Sequence, residues 1–180
     1  MNLKLLKLHL IIFFWKIIGK VKFLESELKL SFNSGNMNRV LLIFPVDEPS
    51  FRVAYYTFRE LGKSSNQKRM FTFLVMEQFR DLFHITTGDK IYIQKFGKNK
   101  ILNNEKQILE ILFSKQYDIV IDLNPFFDLG ISRLVSHLDA KIKLGFVSDF
   151  SDQFYNVQLD ISRSGIMEKG FKQINWMIAK

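Results

Sequence analysis

Apolar residues recur at spacings of three and four through the first segment of the chain, "MNLKLLKLHLIIFFWKIIGKVKFLESELKLSFNSGN". Leu3, Leu6, Leu10, Phe13, Ile17, Val21, Leu24 and Leu28 form the stripe, which predicts a helix. Lys4, Lys7, Lys16, Lys20 and Lys22 interrupt it, and its longest unbroken apolar run, Leu10 to Trp15, is far too short to span a bilayer. One reading is a basic amphipathic helix lying on an anionic membrane face, with Lys4, Lys7, Phe13, Trp15, Lys16 and Lys20 touching it. A second is an ordinary amphipathic helix packed on the domain. A signal or anchor is the third, although "GKVKFLESE" offers no convincing small-residue cleavage site.

"NSGN", Asn33 to Asn36, is a turn-rich break that reads as a linker. The pattern therefore divides the chain into a helix with its linker, residues 1–36, and a domain, residues 37–180. Within the domain, short apolar runs alternate with helical periodicity. Arg39 to Phe44, Arg69 to Val75, "DKIYIQKF", "YDIVIDLN" and "KIKLGFV" read as strands. Between them, Ser50 can cap a helix reaching about Leu61, Met76 to His84 reads as a short helix, and "NNEKQILEILFSKQ" carries cap and dipole signals at both ends. "DLGISRLVSHL" and "GIMEKGFKQINWMIAK" complete the helices. Five strands interleaved with helices predict an α/β fold: one Rossmann-like domain, a mostly parallel sheet with helices on both faces, and the amphipathic helix in front.

Composition narrows the function. The chain has 180 residues, 47% hydrophobic, with 19 phenylalanines, which suits one domain with a packed core. Cysteine is absent, which excludes disulfide and thiolate chemistry. His9, His84 and His137 stand far apart without metal-ligand spacing, so no metal site is expected. A net charge of +8 points to an anionic partner. No Rossmann or Walker glycine pattern is present, so no nucleotide cofactor is expected.

In sheets of this kind ligands bind outside the carboxyl ends of the strands. That rule selects "PVDEPS" with Asp47, Glu48 and Ser50, then "DLNPFFD" with Asp122, Asn124 and Asp128, then "GFVSDFSD" with Ser148, Asp149, Ser151 and Asp152. Each has a structural reading beside the chemical one. Asp122 can bond loop amides, Asp128 can cap the next helix, and "SDFSD" is a natural turn. Asp47 and Glu48 are adjacent, so their side chains diverge and do not make a simple acid/base pair.

Taken in order, "RVLLI", a strand-turn-helix ending in "REL", "YDIVIDL" and "DAKIKLGF" resemble the amino-terminal half of the heptosyltransferase family, glycosyltransferase family 9, over about Arg39 to Lys180. The resemblance implies the acceptor-side member of two facing Rossmann-like domains, with transfer of heptose from ADP-heptose onto the lipopolysaccharide inner core. It places the chain at the cytoplasmic side, peripheral at the inner membrane. The 180 residues stop where the linker helix toward the donor-binding domain is expected. The family carries a Gly-Asp pair after the first strand, its aspartate being the proposed base. An ungapped match puts Pro49 at the glycine, Ser50 at the aspartate and Tyr56 at a later proline. A serine hydroxyl is no base at neutral pH, so Asp47 or Glu48 would have to serve. Arg52 is the expected contact for acceptor phosphates, beside Asp122, Asn124 and Asp128. The implied partners are an anionic membrane or glycolipid acceptor and a separately encoded donor-binding domain, with no nucleic acid. Two outcomes follow: a glycosyltransferase half inactive by itself, or a non-catalytic domain that binds glycan, membrane or a partner.

Overall fold

A computed structural model describes residues 3–22, 38–63, 69–96, 100–101, 105–162 and 165–179. Six strands, β1 (Arg39–Ile43), β2 (Met70–Met76), β3 (Asp89–Ile93), β6 (Ile119–Asp122), β7 (Ile142–Phe146) and β8 (Val157–Leu159), form one sheet in the order β3-β2-β1-β6-β7-β8. All its pairings are parallel. Two residues at each end of a separate hairpin, β4 (Lys95–Phe96) and β5 (Lys100–Ile101), pair antiparallel, so "DKIYIQKF" is a strand followed by one arm of a hairpin. The chain thus runs outward from β1 to β3, crosses the sheet and runs outward again from β6 to β8. That is the doubly wound order, with its reversal point between β1 and β6.

The expected strands are present, and β8 makes a sixth. Its three half-buried residues pair on one side alone, too short a run to stand out by alternation. Met76 to His84 forms a 3-10 helix over Glu77–Leu82. Gly88 makes the turn into β3 at φ 72°, where a Cβ would lie 2.6 Å from the Phe71 carbonyl oxygen, a place only glycine fills.

Side-chain alternation in β7 sorts the helices by face. Phe146 packs edge-on against Phe171 of α5 (Met167–Ile178), while the next residue back presents Gly145 to Tyr155, and Lys143 Nζ reaches the Ser136 carbonyl of α4 (Leu129–His137). α5 shares its face with α2 (Glu48–Phe58), joined by the Phe58–Phe171 rings and by Asn175 Nδ2 donating to the Thr57 carbonyl over 3.2 Å. Between α2 and the sheet lies an aromatic cluster: Phe44 against Phe83 with centroids 4.9 Å apart, and Phe51 stacked on Phe79 at 4.3 Å. Such pairs add to area burial, by about 0.5–1.5 kcal/mol each. α3 (Glu105–Phe113) fills the long crossing from β3 to β6. The Asn103 and Asn104 cap positions lie outside the described residues.

α1 (Leu3–Ile17) lies on the α4 face and ends before Gly19, whose φ is 71°. Leu5, Leu8, Ile11, Ile12 and Trp15 pack on the domain, Ile12 being 1% exposed. The Arg133 guanidinium lies 5.0 Å from the Trp15 ring, His9 tilts on Phe150, and the Lys22 amide donates to Ser136 Oγ over 3.4 Å. The stripe Leu3, Leu6, Leu10, Phe13 and Ile17 points the other way, into solvent. The helix is apolar on two sides, so the ordinary packed helix and the exposed apolar helix are both present in it. Trp15 belongs to the inner side, which removes it from the membrane-contacting set, whereas Lys4, Lys7, Phe13 and Lys20 are exposed and Lys16 is half-buried. Leu24, Leu28, the "NSGN" break and the proposed boundary at residue 36 lie outside the described residues.

Candidate functional site

At the reversal point, β1 and β6 diverge beyond their last shared hydrogen bond, from the Leu123 amide to the Ile43 carbonyl at 2.9 Å. One contact then bridges the opening: the Val46 amide donates to Asn124 Oδ1 over 2.9 Å. Asn124 is 6% exposed, so the side chain acts as a strut between the first and second strand-end loops.

The turn after β1 ends in a helix cap. Asp47, with extended backbone, accepts the Ser50 amide on Oδ1 at 2.9 Å, and Pro49 occupies the first turn, where its missing N–H is not needed. The cap expected at Ser50 is therefore made three residues earlier. Ser50 sits inside the first turn, 1% exposed, and its Oγ has no hydrogen-bond partner. A hydroxyl enclosed in this way cannot meet a substrate, which removes Ser50 from the catalytic set. Glu48 turns outward and pairs with Arg52 at 2.6 Å, both side chains more than half exposed. Of the two carboxylates, Asp47, half-buried at the helix mouth, is the one not drawn into a surface ion pair. Arg52 remains at the surface, held by both Nε and Nη2 on Glu48 Oε1.

The second loop is built around Asp122, which is 3% exposed at the end of β6. It accepts from Tyr155 Oη at 2.5 Å, from Asn124 Nδ2 at 2.6 Å and from the Asn124 amide at 2.9 Å. Ser132 Oγ of α4 meets Tyr155 Oη at 2.9 Å. Burial raises the Asp122 pKa to about 6, against the opposing pull of these donors. Burial, then the neighbouring Asp122 charge, pushes the Tyr155 hydroxyl well above its ordinary range. The Tyr155 ring rests on Gly145: a Cβ there would lie 2.8 Å from ring atoms. Asp122 therefore orients Asn124 from beneath the crevice and does not face it.

Asp128 caps α4, accepting the Ile131 amide on Oδ1 at 3.1 Å. Its Oδ2 pairs with Lys95 Nζ from the strand after β3, both side chains less than one-fifth exposed. This ion pair joins the hairpin to the far side of the reversal point, where β5 lies against α4. In the third loop Ser151 is buried: its Oγ accepts the Ser148 amide at 2.9 Å and donates to Gln158 at 2.6 Å, while Gln158 Nε2 donates to Asp152. That loop is a hydrogen-bonded turn. Asp122, Asn124 and Asp47 are thus brought together by the fold, while Arg52 lies on the solvent side of α2. Sequence reasoning missed Tyr155, Ser132 and Lys95. Lys95 and Tyr155 each lie 33 residues from their acidic partner, beyond any local signal, though the glycine in "KLGF" is the trace that a flat ring leaves. Among the described residues no three His, Asp or Glu side chains converge as metal ligands, and no helix is long and apolar enough to cross a membrane.

The parallel order and the crevice between β1 and β6 define a doubly wound, Rossmann-like α/β domain. Solved glycosyltransferases share it. The glycosyl transferase family 9 structure from Veillonella parvula DSM 2008 matches with a TM-score of 0.60 at 17% identity, covering 79% of this chain and 42% of that one. The E. coli heptosyltransferase WaaC, solved with ADP, matches with a TM-score of 0.55 at 18% identity, covering 75% and 45%. The fold is therefore the one seen in family 9 glycosyltransferases, and this chain spans less than half the length of each of these two proteins. No family model and no curated protein matches the sequence.

Proposed function

We propose that the chain serves as the acceptor-side domain of a heptosyltransferase-like glycosyltransferase in lipopolysaccharide or cell-envelope glycan synthesis, and that it transfers no sugar unaided. One observation carries this reading: the likeness to two such enzymes covers 79% and 75% of this chain but 42% and 45% of theirs. Binding of the nucleotide sugar would fall to a second domain or a separately encoded chain. In the assembled enzyme Asp47 is the residue to deprotonate the acceptor hydroxyl, Asn124 holds its turn, and Arg52 meets acceptor phosphate. No cofactor or metal is required of these residues. The chain works on the cytoplasmic side as a peripheral membrane protein.

A second reading, a pseudoenzyme that binds glycan, membrane or partner, draws support from two features. Ser50 is enclosed, and the Asp47 carboxylate already accepts the Ser50 amide as the α2 cap. Titration of the purified chain with ADP-heptose tests the first reading's division of labour: no binding tighter than about millimolar is expected from one half-site domain, and micromolar affinity would refute it. Restored transfer on adding a donor half, lost in Asp47→Asn, separates the enzyme half from the pseudoenzyme.

A further inference from the structure

A helix that is apolar all round belongs in a core or against something else. α1 is apolar on two opposite sides, and the domain covers one of them. At 100° per residue, Leu3, Leu6, Leu10, Phe13, Phe14 and Ile17 fall within one arc, and all are exposed, Leu3 at 82% and Phe13 at 63%. A soluble surface seldom leaves so many large apolar side chains contiguous without a use.

Charge identifies what covers the arc. From Leu3 to Lys22 the charged residues are Lys4, Lys7, Lys16, Lys20 and Lys22, and no Asp or Glu occurs. An apolar arc bordered by cations alone complements lipid headgroup phosphates over acyl chains, whereas a protein groove would have to supply acids around an apolar floor. We infer that the outer face of α1 is a docking surface for an anionic phospholipid bilayer, with the phenylalanines in the headgroup–acyl boundary and the lysine stems reaching back to the phosphates.

The inner face makes this an oriented contact. Trp15 under Arg133 and the Lys22 amide on Ser136 seat the helix along α4, while His9 lies 4.6 Å from Phe150, which in turn lies 5.0 Å from Phe127. Phe127 adjoins Asp128, at the mouth of the crevice, and Phe126 beside it is 72% exposed. The early turns of α1 therefore stand next to the crevice rim, and docking would hold that rim at headgroup level. This last step rests on the acceptor-side reading, because it explains how a lipid-borne acceptor would reach Asp47; the docking itself does not.

The whole chain, incubated with vesicles of phosphatidylcholine alone or of phosphatidylcholine with about one-third phosphatidylglycerol, should sediment with the second and be released by salt. Phe13→Glu with Phe14→Glu should weaken binding by about tenfold or more at an unchanged melting temperature. Tyr56→Glu, an equally exposed aromatic on the other face, should bind as the parent does. No binding to anionic vesicles, or undiminished binding by the double variant, overturns the inference. So does a lipid-free dimer that the double variant dissolves, since that would make the face a protein interface. Failure of sugar transfer would leave all these readouts in place.

Discussion

Tyr155 Oη donates to Asp122 Oδ2 across 2.5 Å, and this bond fastens the loop before β8 to the end of β6. The carboxylate it reaches is fully enclosed, so its ionisation acts on the fold. With the Asp122 pKa raised to about 6 against about 4 unfolded, the folded chain holds a proton that the unfolded chain has lost between those values. The stability from this group is complete below about pH 4 and is lost as pH rises toward 6, by about 3 kcal/mol in all. Urea unfolding of the parent and of Asp122→Asn from pH 4 to 7 should show that difference; a constant gap across the window would contradict it.

Gly145→Ala should destabilise by about 1–3 kcal/mol, because the new methyl meets the Tyr155 ring at 2.8 Å and drives its hydroxyl from Asp122. Tyr155→Phe removes the same bond by another route. If both act on one contact, the double variant should fall short of their sum, as chemical denaturation would reveal.

Ser50→Ala should be neutral or stabilising by up to about 1 kcal/mol, since it removes an enclosed hydroxyl without a partner. Ser50→Asp, which supplies the acid at the register the family resemblance suggests, should instead bury a lone charge and cost about 3 kcal/mol or more. A stable, active Ser50→Asp would reverse the assignment of the crevice acid to Asp47.

Asp47→Ala should lower stability by about 1 kcal/mol through loss of the α2 cap, whereas Asp47→Asn keeps the cap and should melt near the parent. Transfer by the assembled enzyme should fail in both, and thermal melting alongside activity separates capping from proton removal.

Asp128→Asn keeps the α4 cap and leaves Lys95 half-buried without its partner. A loss of about 1–3 kcal/mol is expected, discounted from a fully buried pair because some solvent reaches it. Lys95→Met should recover part of this loss in the double variant, measured by denaturation.

The strands that can be read from sequence are those buried on both faces, such as Val40 to Ile43 and Ile119 to Ile121, where an unbroken apolar run is dictated by helices above and below. The edge strand β8 lacks that constraint. In α1 the period was legible and the direction was not: when two faces are apolar, periodicity names a stripe without saying which stripe the domain covers. Asp47 was visible as a carboxylate in the opening turn, but the choice between Asp47 and Ser50 as cap depends on where the Pro49 turn enters the helix. Asp122 was selected by its place at a strand end. Its bond from Tyr155, which Ser132 holds in turn, is a long-range property that no spacing records.

The sheet order also bears on how the chain reaches this state. β1 finds β2 soon after it, but its other neighbour pairs with it from 79 residues further along, and the Val46–Asn124 strut above spans 78. Closing that central seam brings distant segments together before much contact energy returns, which slows folding. Each three-strand wing can form from local pairings first, so the expected rate-limiting event is the meeting of the wings along β1 and β6. The future crevice would then be the last place to be sealed during refolding.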